Sequence, residues 1–468
     1  MSELAALPER ERIVAEATRS FLAVLPPDLA ETVRAAAIPH WFDAALLAAL
    51  LELPQDEADR RYAALQEMPF MQAVAGRGHA LHELTRRLLL DELWAGREAD
   101  FRAWSRRAAG FFDSQDDETA RIEAIYHWLA ADPDRGADLV WEWGAEWNNT
   151  FRYNLVFALI QAGLEQDAGG RLAGRAKGWV YYRKGLLHSL YSENREALES
   201  LRIASAAAGS DRQLEANCIQ RLGDVHRMLA EYPTARQRYE AALPIFQAIG
   251  DRLGEANCIY RLGDVHLAAE DFEAARAAFE EAAGRYHELG ARNDEAGAFS
   301  RLADILSNQK RYYEAAEVLS RAIELMPDYA MWYRNRANDY INAKDFAAAA
   351  ADLARAAELQ ADHPYLALRR GDLALEQGQY EDAVGHYRRF IAQLPNVNGG
   401  HFGLGLALLC LGQEVEGLAE VRQALALTYA PREIREFSEE LEELIAAQSG
   451  RAGLMEALAL VRAWRPAP

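Results

Sequence analysis

The sequence predicts an all-α fold, a solenoid of stacked helix pairs with a small α+β head at its N-terminal end. Three observations predict it: a segment that returns after forty residues, a lattice of small residues kept in phase over seven units, and an N-terminal quarter of different texture that contains a short hairpin. The repeated segment is Glu215-Ala216-Asn217-Cys218-Ile219-Gln220-Arg221-Leu222-Gly223-Asp224-Val225-His226, which recurs as Glu255 to His266 with only Gln220 changed, to Tyr260. A fixed period of this size marks a repeat architecture before any other feature is read.

The lattice extends the period in both directions. One small residue recurs at Gly185, Gly223, Gly263, Ala303, Ala337, Gly371 and Gly405, in steps of 38, 40, 40, 34, 34 and 34. A second lies twelve positions after each: Ala197, Ala235, Ala275, Ala315, Ala349, Ala383 and Gly417. A third follows seven later, from Ala204 to Ala424, with Phe390 the exception. Antiparallel helices approach closely only where side chains are tiny. The aromatic residues between the first two small positions, Tyr232, Phe272, Tyr312, Phe346 and Tyr380, are expected to fill the gap between the helices, and Pro327 and Pro395 to close helices. This unit resembles the tetratricopeptide repeat, which implies a right-handed superhelix. Seven units span residues 176–428. Each buries too little apolar surface to stand alone and is stabilised by its neighbours. Residues 429–468, with Ile434, Phe437, Leu441 and Ile445 spaced by three and four, are expected to supply capping helices. Residues 96–175 read as irregular helical pairs with a Gly-rich flexible joint from Asp167 to Gly174.

The head, residues 1–95, reads as helices starting at Pro26-Pro27-Asp28, at Phe42-Asp43 and at Gln55, then strands flanking Gly76-Arg77-Gly78, then a closing helix from His82 to Trp94. That order is a winged helix. The phrases Trp41-Phe42-Asp43-Ala44-Ala45-Leu46-Leu47 and Ala80-Leu81-His82-Glu83-Leu84-Thr85-Arg86, with the forty-residue repeats, resemble the winged helix and repeat arm of bacterial STAND signalling ATPases. The resemblance covers nearly the whole chain. It implies an arm that senses a ligand or partner. The family's switch chemistry is not carried over, because no ATPase module is read here.

Charge and motifs narrow the function. The chain has 468 residues, suggesting about three domain-sized units, and its formal net charge is −21. Such a chain repels a phosphate backbone unless its basic residues gather on one face. The third head helix, Asp56-Glu57-Ala58-Asp59-Arg60-Arg61-Tyr62, does not gather them. Three scattered cysteines make neither a disulfide framework nor a zinc site, the start Met1-Ser2-Glu3-Leu4 has no signal-peptide core, and no apolar run is long enough to span a bilayer, so a cytoplasmic location is expected. Gly169 to Gly174 lacks the lysine and hydroxyl of a phosphate loop. His79 and His82 are too few for zinc and read as wing and helix-start residues. Asn148-Asn149-Thr150 matches a glycosylation sequon that matters only in a secreted protein. Trp141, Trp143 and Trp147 form either a docking cluster or, more simply, core. No enzyme, cofactor or metal site is expected.

One pattern remains. Two before and one after the first small residue stand Arg221/Asp224, Arg261/Asp264, Arg301/Asp304, Asn335/Asn338 and Arg369/Asp372, with Asn217 and Asn257 six before. These positions are expected to face the inner surface as a polar track suited to a peptide backbone. Equally, Arg and Asp three apart can pair as structural spacers. The track turns apolar at Phe402, Leu406 and Leu409, matching a partner with one charged and one apolar end. The expected function is a non-enzymatic scaffold or sensor adaptor that binds a protein or peptide, an effector or an ATPase subunit in trans, with nucleic acid, membrane and small-molecule substrate not expected. The alternative is a peptide-responsive transcriptional regulator whose winged helix binds DNA.

Overall fold

A computed structural model of the chain describes residues 8–428, 431–447 and 451–465. The start Met1–Leu4 and the junction at 429–430, where the sequence reading begins the capping region, lie outside them. The chain divides into two compact units, 1–254 and 255–468, rather than three. Stacked repeats share their cores with neighbours and do not close off into separate domains.

The first unit opens with α1 (Glu9–Val24), α2 (Pro27–Ala36), α3 (Ala44–Leu51), α4 (Gln55–Gln66), β1 (Met71–Val74), β2 (Gly78–Leu81) and α5 (Glu83–Gly96). Pro27 sits in the first turn of α2, and the Asp43 carboxylate caps α3 by accepting from Leu46 N at 2.8 Å. The strands pair antiparallel, Met71 opposite Leu81 and Val74 opposite Gly78, and Phe42 bridges to His79 through bonds of 2.7 and 2.9 Å. The core under these elements (Val33, Leu47, Leu89) continues into Phe101, Trp104 and Phe112 of α6 (Glu98–Asp113) and Ala124 of α7 (Glu118–Ala131). A head this small gains a sufficient core by sharing one.

The unit continues through α8 (Pro133–Asn149), α9 (Tyr153–Ala168), α10 (Gly174–Leu190), α11 (Asn194–Ala207), α12 (Arg212–Met228) and α13 (Tyr232–Ile249). The stretch from Asp167 to Gly174 is not a free hinge. Arg171 is 5 % exposed, donates to Gln166 Oε1 at 2.8 Å and lies 3.2 Å from Asp91, while Leu172 is buried beside it. Glycine is used there to admit the guanidinium, since a Cβ on Gly169 would stand 2.0 Å from it.

The second unit contains α14 (Arg252–Ala268), whose first residues precede the division, then α15 (Phe272–Leu289), α16 (Arg292–Asn308), α17 (Tyr312–Leu325), α18 (Ala330–Asn342), α19 (Phe346–Leu359), α20 (Pro364–Glu376), α21 (Tyr380–Gln393), α22 (Asn398–Cys410), α23 (Glu414–Ala426), α24 (Pro431–Ala447) and α25 (Ala452–Ala463). Among the described residues, none of the helices is long and apolar enough to cross a membrane.

Seven antiparallel pairs, α10/α11 to α22/α23, follow the small-residue lattice, and within each unit the pairs stack as a solenoid. Each of the seven turns inside a pair contains one left-handed residue: Ser192, Ala230, Glu270, Lys310, Lys344, Gly378 or Gly412. The second- and third-position alanines are fully buried or nearly so. The residue that fills the notch over the first small position is not the aromatic nine positions on, which is only half-buried, but the one sixteen on. A Cβ on Gly223, Gly263 or Gly371 would stand 2.7, 2.8 and 2.8 Å from the rings of Tyr239, Phe279 and Tyr387. The ninth position opens the second helix at the turn, whereas the sixteenth lies two turns further along, level with the notch. The last pair is covered by α25, where Gly453 lets the backbone approach Leu409.

Candidate functional site

The ladder residues lie three apart on the first helix of each pair and therefore share a face. In the first unit Arg221 donates to Asp224 Oδ2 at 2.9 Å, and the Tyr239 hydroxyl donates to Asp224 Oδ1 at 2.9 Å. In the second unit Arg261 donates to Asp264 Oδ2 at 3.2 Å, and Arg301 joins Asp304 at 3.1 Å. Arg369 and the Tyr387 hydroxyl each donate to Asp372 at 2.8 Å. Asp264 faces Phe279, which has no hydroxyl, and its second oxygen is met instead by Arg301 Nε of the next pair, at 3.2 Å. Asn257 accepts from Tyr286 at 2.7 Å.

Asp224, Asp264 and Asp372 are thus held from two directions and Asp304 by its own arginine, which gives the ladder a structural role. Not every polar group is consumed. Asn217 Nδ2 and Arg221 Nε have no acceptor among the described residues, but both atoms are buried out of reach of a ligand. Asn335 and Asn338, half-buried on α18, make no side-chain hydrogen bond among the described residues, while Arg336 between them turns across its pair to grip Asp352 at 2.7 and 2.8 Å. Half-buried amides in such positions can donate to the carbonyls of an extended chain. Nearby Asp339 is 2 % exposed and accepts from Ser307 at 2.6 Å, and burial pushes its carboxyl up to about 7. The tyrosine partners were readable as aromatic residues sixteen after the glycine, but the sequence does not say that their hydroxyls reach the aspartates. Phe402, Leu406 and Leu409, expected as an open apolar end, are covered, with Phe402 stacked on Phe437 at 3.7 Å.

The other candidates resolve into packing. His79 Nδ1 pairs with the Tyr62 hydroxyl at 2.8 Å. Trp147 is core, and Trp141 leans on Trp179 at 4.5 Å. The three cysteines are buried, and burial pushes the Cys218 thiol up to about 12. No group of metal-binding side chains occurs among the described residues.

A second polar cluster has no sequence signal, since its members are far apart in the chain. His40, before α3, lies between Glu123 of α7 and Glu165 of α9, both at 2.8 Å. Arg86 of α5 joins Glu165 at 2.7 Å, the Tyr126 hydroxyl at 3.0 Å and the carbonyls of Ile38 and Pro39 at 3.1 Å. Burial would lower the His40 pKa, but the charge and hydrogen bonds of the two glutamates raise it. Burial would raise that of Glu165, yet hydrogen bonding to His40 and Arg86 holds it well below the usual carboxylate range. This cluster pins the hairpin-bearing elements to α7 and α9.

Known proteins place the fold. The tetratricopeptide-repeat pattern matches residues 215–288 in one form and 260–330, 334–398 and 368–429 in another. The chain therefore carries tetratricopeptide repeats, a module that mediates protein–protein interaction, and no catalytic family is among the matches. No curated protein matches the sequence. Among solved structures, the fold is similar to a STAND protein (Signal Transduction ATPase with Numerous Domains) with a tetratricopeptide repeat sensor from Pyrococcus horikoshii: TM-score 0.55, 12 % identity, 87 % of this chain and 63 % of that one. The chain thus spans less than two-thirds of that protein. PilF of Pseudomonas aeruginosa matches at TM-score 0.39 and 16 % identity, over 48 % of this chain and 95 % of that one. A tetratricopeptide-repeat protein of Thermus thermophilus matches at 0.33 and 23 %, over 42 % and 99 %.

Proposed function

We propose that this chain is a non-enzymatic interaction protein that holds a protein or peptide segment against the first-helix faces of its repeats. The observation that supports this reading is the pair of amides left over once the ladder has satisfied itself: Asn335 and Asn338, half-buried and without a side-chain hydrogen bond among the described residues. Such amides can both donate to and accept from an extended backbone. A bound backbone would satisfy them. The likeness to a STAND sensor supports a place in a bacterial signalling or defence complex, with an effector or ATPase subunit as the partner in trans. The head would serve as a winged helix that docks a second component. DNA is a poor occupant for it, since Arg61 donates to Glu57 at 2.7 Å and Arg60 to the same carboxylate at 3.1 Å.

The test is Asn335→Ala with Asn338→Ala, which breaks no internal hydrogen bond. In an affinity pull-down the folded double variant is expected to lose a partner that the wild type retains, at an unchanged melting temperature. Retention of the same protein by both chains would move the docking surface off this face.

A further inference from the structure

The sequence reading assigns 429–468 to capping, but only α25 caps. The preceding helix, α24, runs back over the second unit's own repeats. Its Arg435 lies 3.1 Å from Glu270 in the α14–α15 turn, Arg432 donates to Asn308 at the end of α16, and Glu439 pairs with Lys310 at 2.9 Å. Phe437 stacks on Phe402 of α22 at 3.7 Å with the rings 12° from parallel, and Leu441 is fully buried in the same core. One helix of the chain therefore touches elements from the α14–α15 turn to α22, on the side that carries Asp304 and Asp372, both within electrostatic reach of it.

The hold rests on one apolar stripe. Among the described residues of α24 only Phe437 and Leu441 are buried, with Ile434, Leu444 and Ile445 packed partly buried beside them, and both partners of the Arg435–Glu270 and Lys310–Glu439 pairs are more than half exposed, where ion pairs contribute little. Glu440 works against docking. It is half-buried facing Asp372 and Glu376 of α20, with Glu443 on its own helix, Tyr387 of α21 nearby and Lys344 the one cation among its influences; burial and these acids push its carboxyl up to about 8. A group whose pKa is higher when docked than when free takes up a proton on docking, so the hold weakens as pH rises toward that value.

We infer that α24 is an internal stand-in for the partner: it occupies the place where an amphipathic helix of the same pattern docks, one with basic residues in its first turns, an aromatic anchor for Phe402 and a glutamate for Lys310. This rests on the reading of the first-helix face as a binding face and adds what the partner is and that it must displace α24. A helix laid into a groove through an apolar stripe and flanking charges is a recurrent mode of recognition.

The probe is a fluorescent synthetic peptide of residues 431–447, titrated into the full chain and read by anisotropy. Phe437→Ala with Glu439→Lys in the chain loosens its own α24 and leaves the groove intact. That variant is expected to bind the peptide about tenfold or more tightly than the wild type. A peptide carrying Phe437→Ala should show no such gain, because it lacks the ring that stacks on Phe402. If the double variant melts early, Glu439→Lys alone serves, since it keeps the apolar packing. Equal binding to wild type and variant, or binding indifferent to Phe437→Ala in the peptide, overturns the inference while a partner lost with Asn335 and Asn338 still upholds groove binding. Peptide bound by neither chain, with no such partner, removes both. Peptide-free dimers of the loosened variant would mean that α24 serves a second copy, and would also overturn it.

Discussion

Asp264 shows how one missing hydroxyl is compensated. Asp224 and Asp372 take their second hydrogen bond from Tyr239 and Tyr387, whereas Phe279 stands at the equivalent place over Asp264 and Arg301 of the following pair supplies the bond. Arg301→Ala should therefore cost about 1–2 kcal/mol, by taking a donor from both Asp264 and Asp304. Phe279→Tyr in that background should recover part of the loss, because it recreates the arrangement of the neighbouring pairs. Urea denaturation of the single and double variants checks this, and a Phe279→Tyr change that helps the wild type as much as Arg301→Ala would show that the two donors do not share an acceptor.

Among elements, close packing decides what each glycine is worth. Gly263 of α14 faces the Phe279 ring with no room for a Cβ, which would lie at 2.8 Å, while Gly284 of α15 is exposed with nothing within 4 Å. Both are helix-interior glycines, where alanine is favoured by up to about 1 kcal/mol on propensity alone. Gly284→Ala should gain about that amount. Gly263→Ala should instead lose about 1–3 kcal/mol net, since overpacking outweighs propensity. Thermal melts of the two variants are expected to move in opposite directions. The period that predicts seven pairs was legible because notch, alanine and turn recur at fixed offsets. The filling residue was misassigned to the ninth position because aromatic character recurs at both the ninth and the sixteenth, and only helix packing tells them apart.

In the first unit, the cluster of His40, Arg86, Glu123 and Glu165 ties the hairpin-bearing head to the helices after it, beside the apolar core that they share. Glu165→Gln would leave the buried Arg86 guanidinium short of its counter-charge and should cost about 3 kcal/mol. The pH dependence follows from the signs. The pKa of His40 is raised from 6.5, so its contribution is complete below 6.5 and is lost as pH rises through the higher folded value. The pKa of Glu165 is lowered from 4.5, so its contribution is present above 4.5 and is lost on acidification. The wild type should be less stable at pH 8.5 than at pH 6, and His40→Gln should reduce that difference, leaving the part due to Asp339 and Glu440, whose carboxyls are raised to about 7 and about 8. Denaturant melts at the two pH values, with hydrogen exchange on α2 and α7 to localise the change, test it.

At the scale of the molecule, the sequence by itself determined the helix pairs, their number and phase, the order of elements in the head after α1, and an acidic chain of net charge −21. Each of these rests on side-chain size, charge and spacing within one or two turns of the chain, where local geometry leaves few alternatives. The tertiary structure decided the rest: which oxygen of Asp264 meets Arg301, that Arg171 pins the supposed joint, that residues 40, 86, 123 and 165 converge, and that α24 lies over the repeats instead of capping them. Those contacts join residues tens to more than a hundred positions apart. Their partners are chosen by which surfaces remain to be buried after the pairs have formed, and no local spacing records that choice.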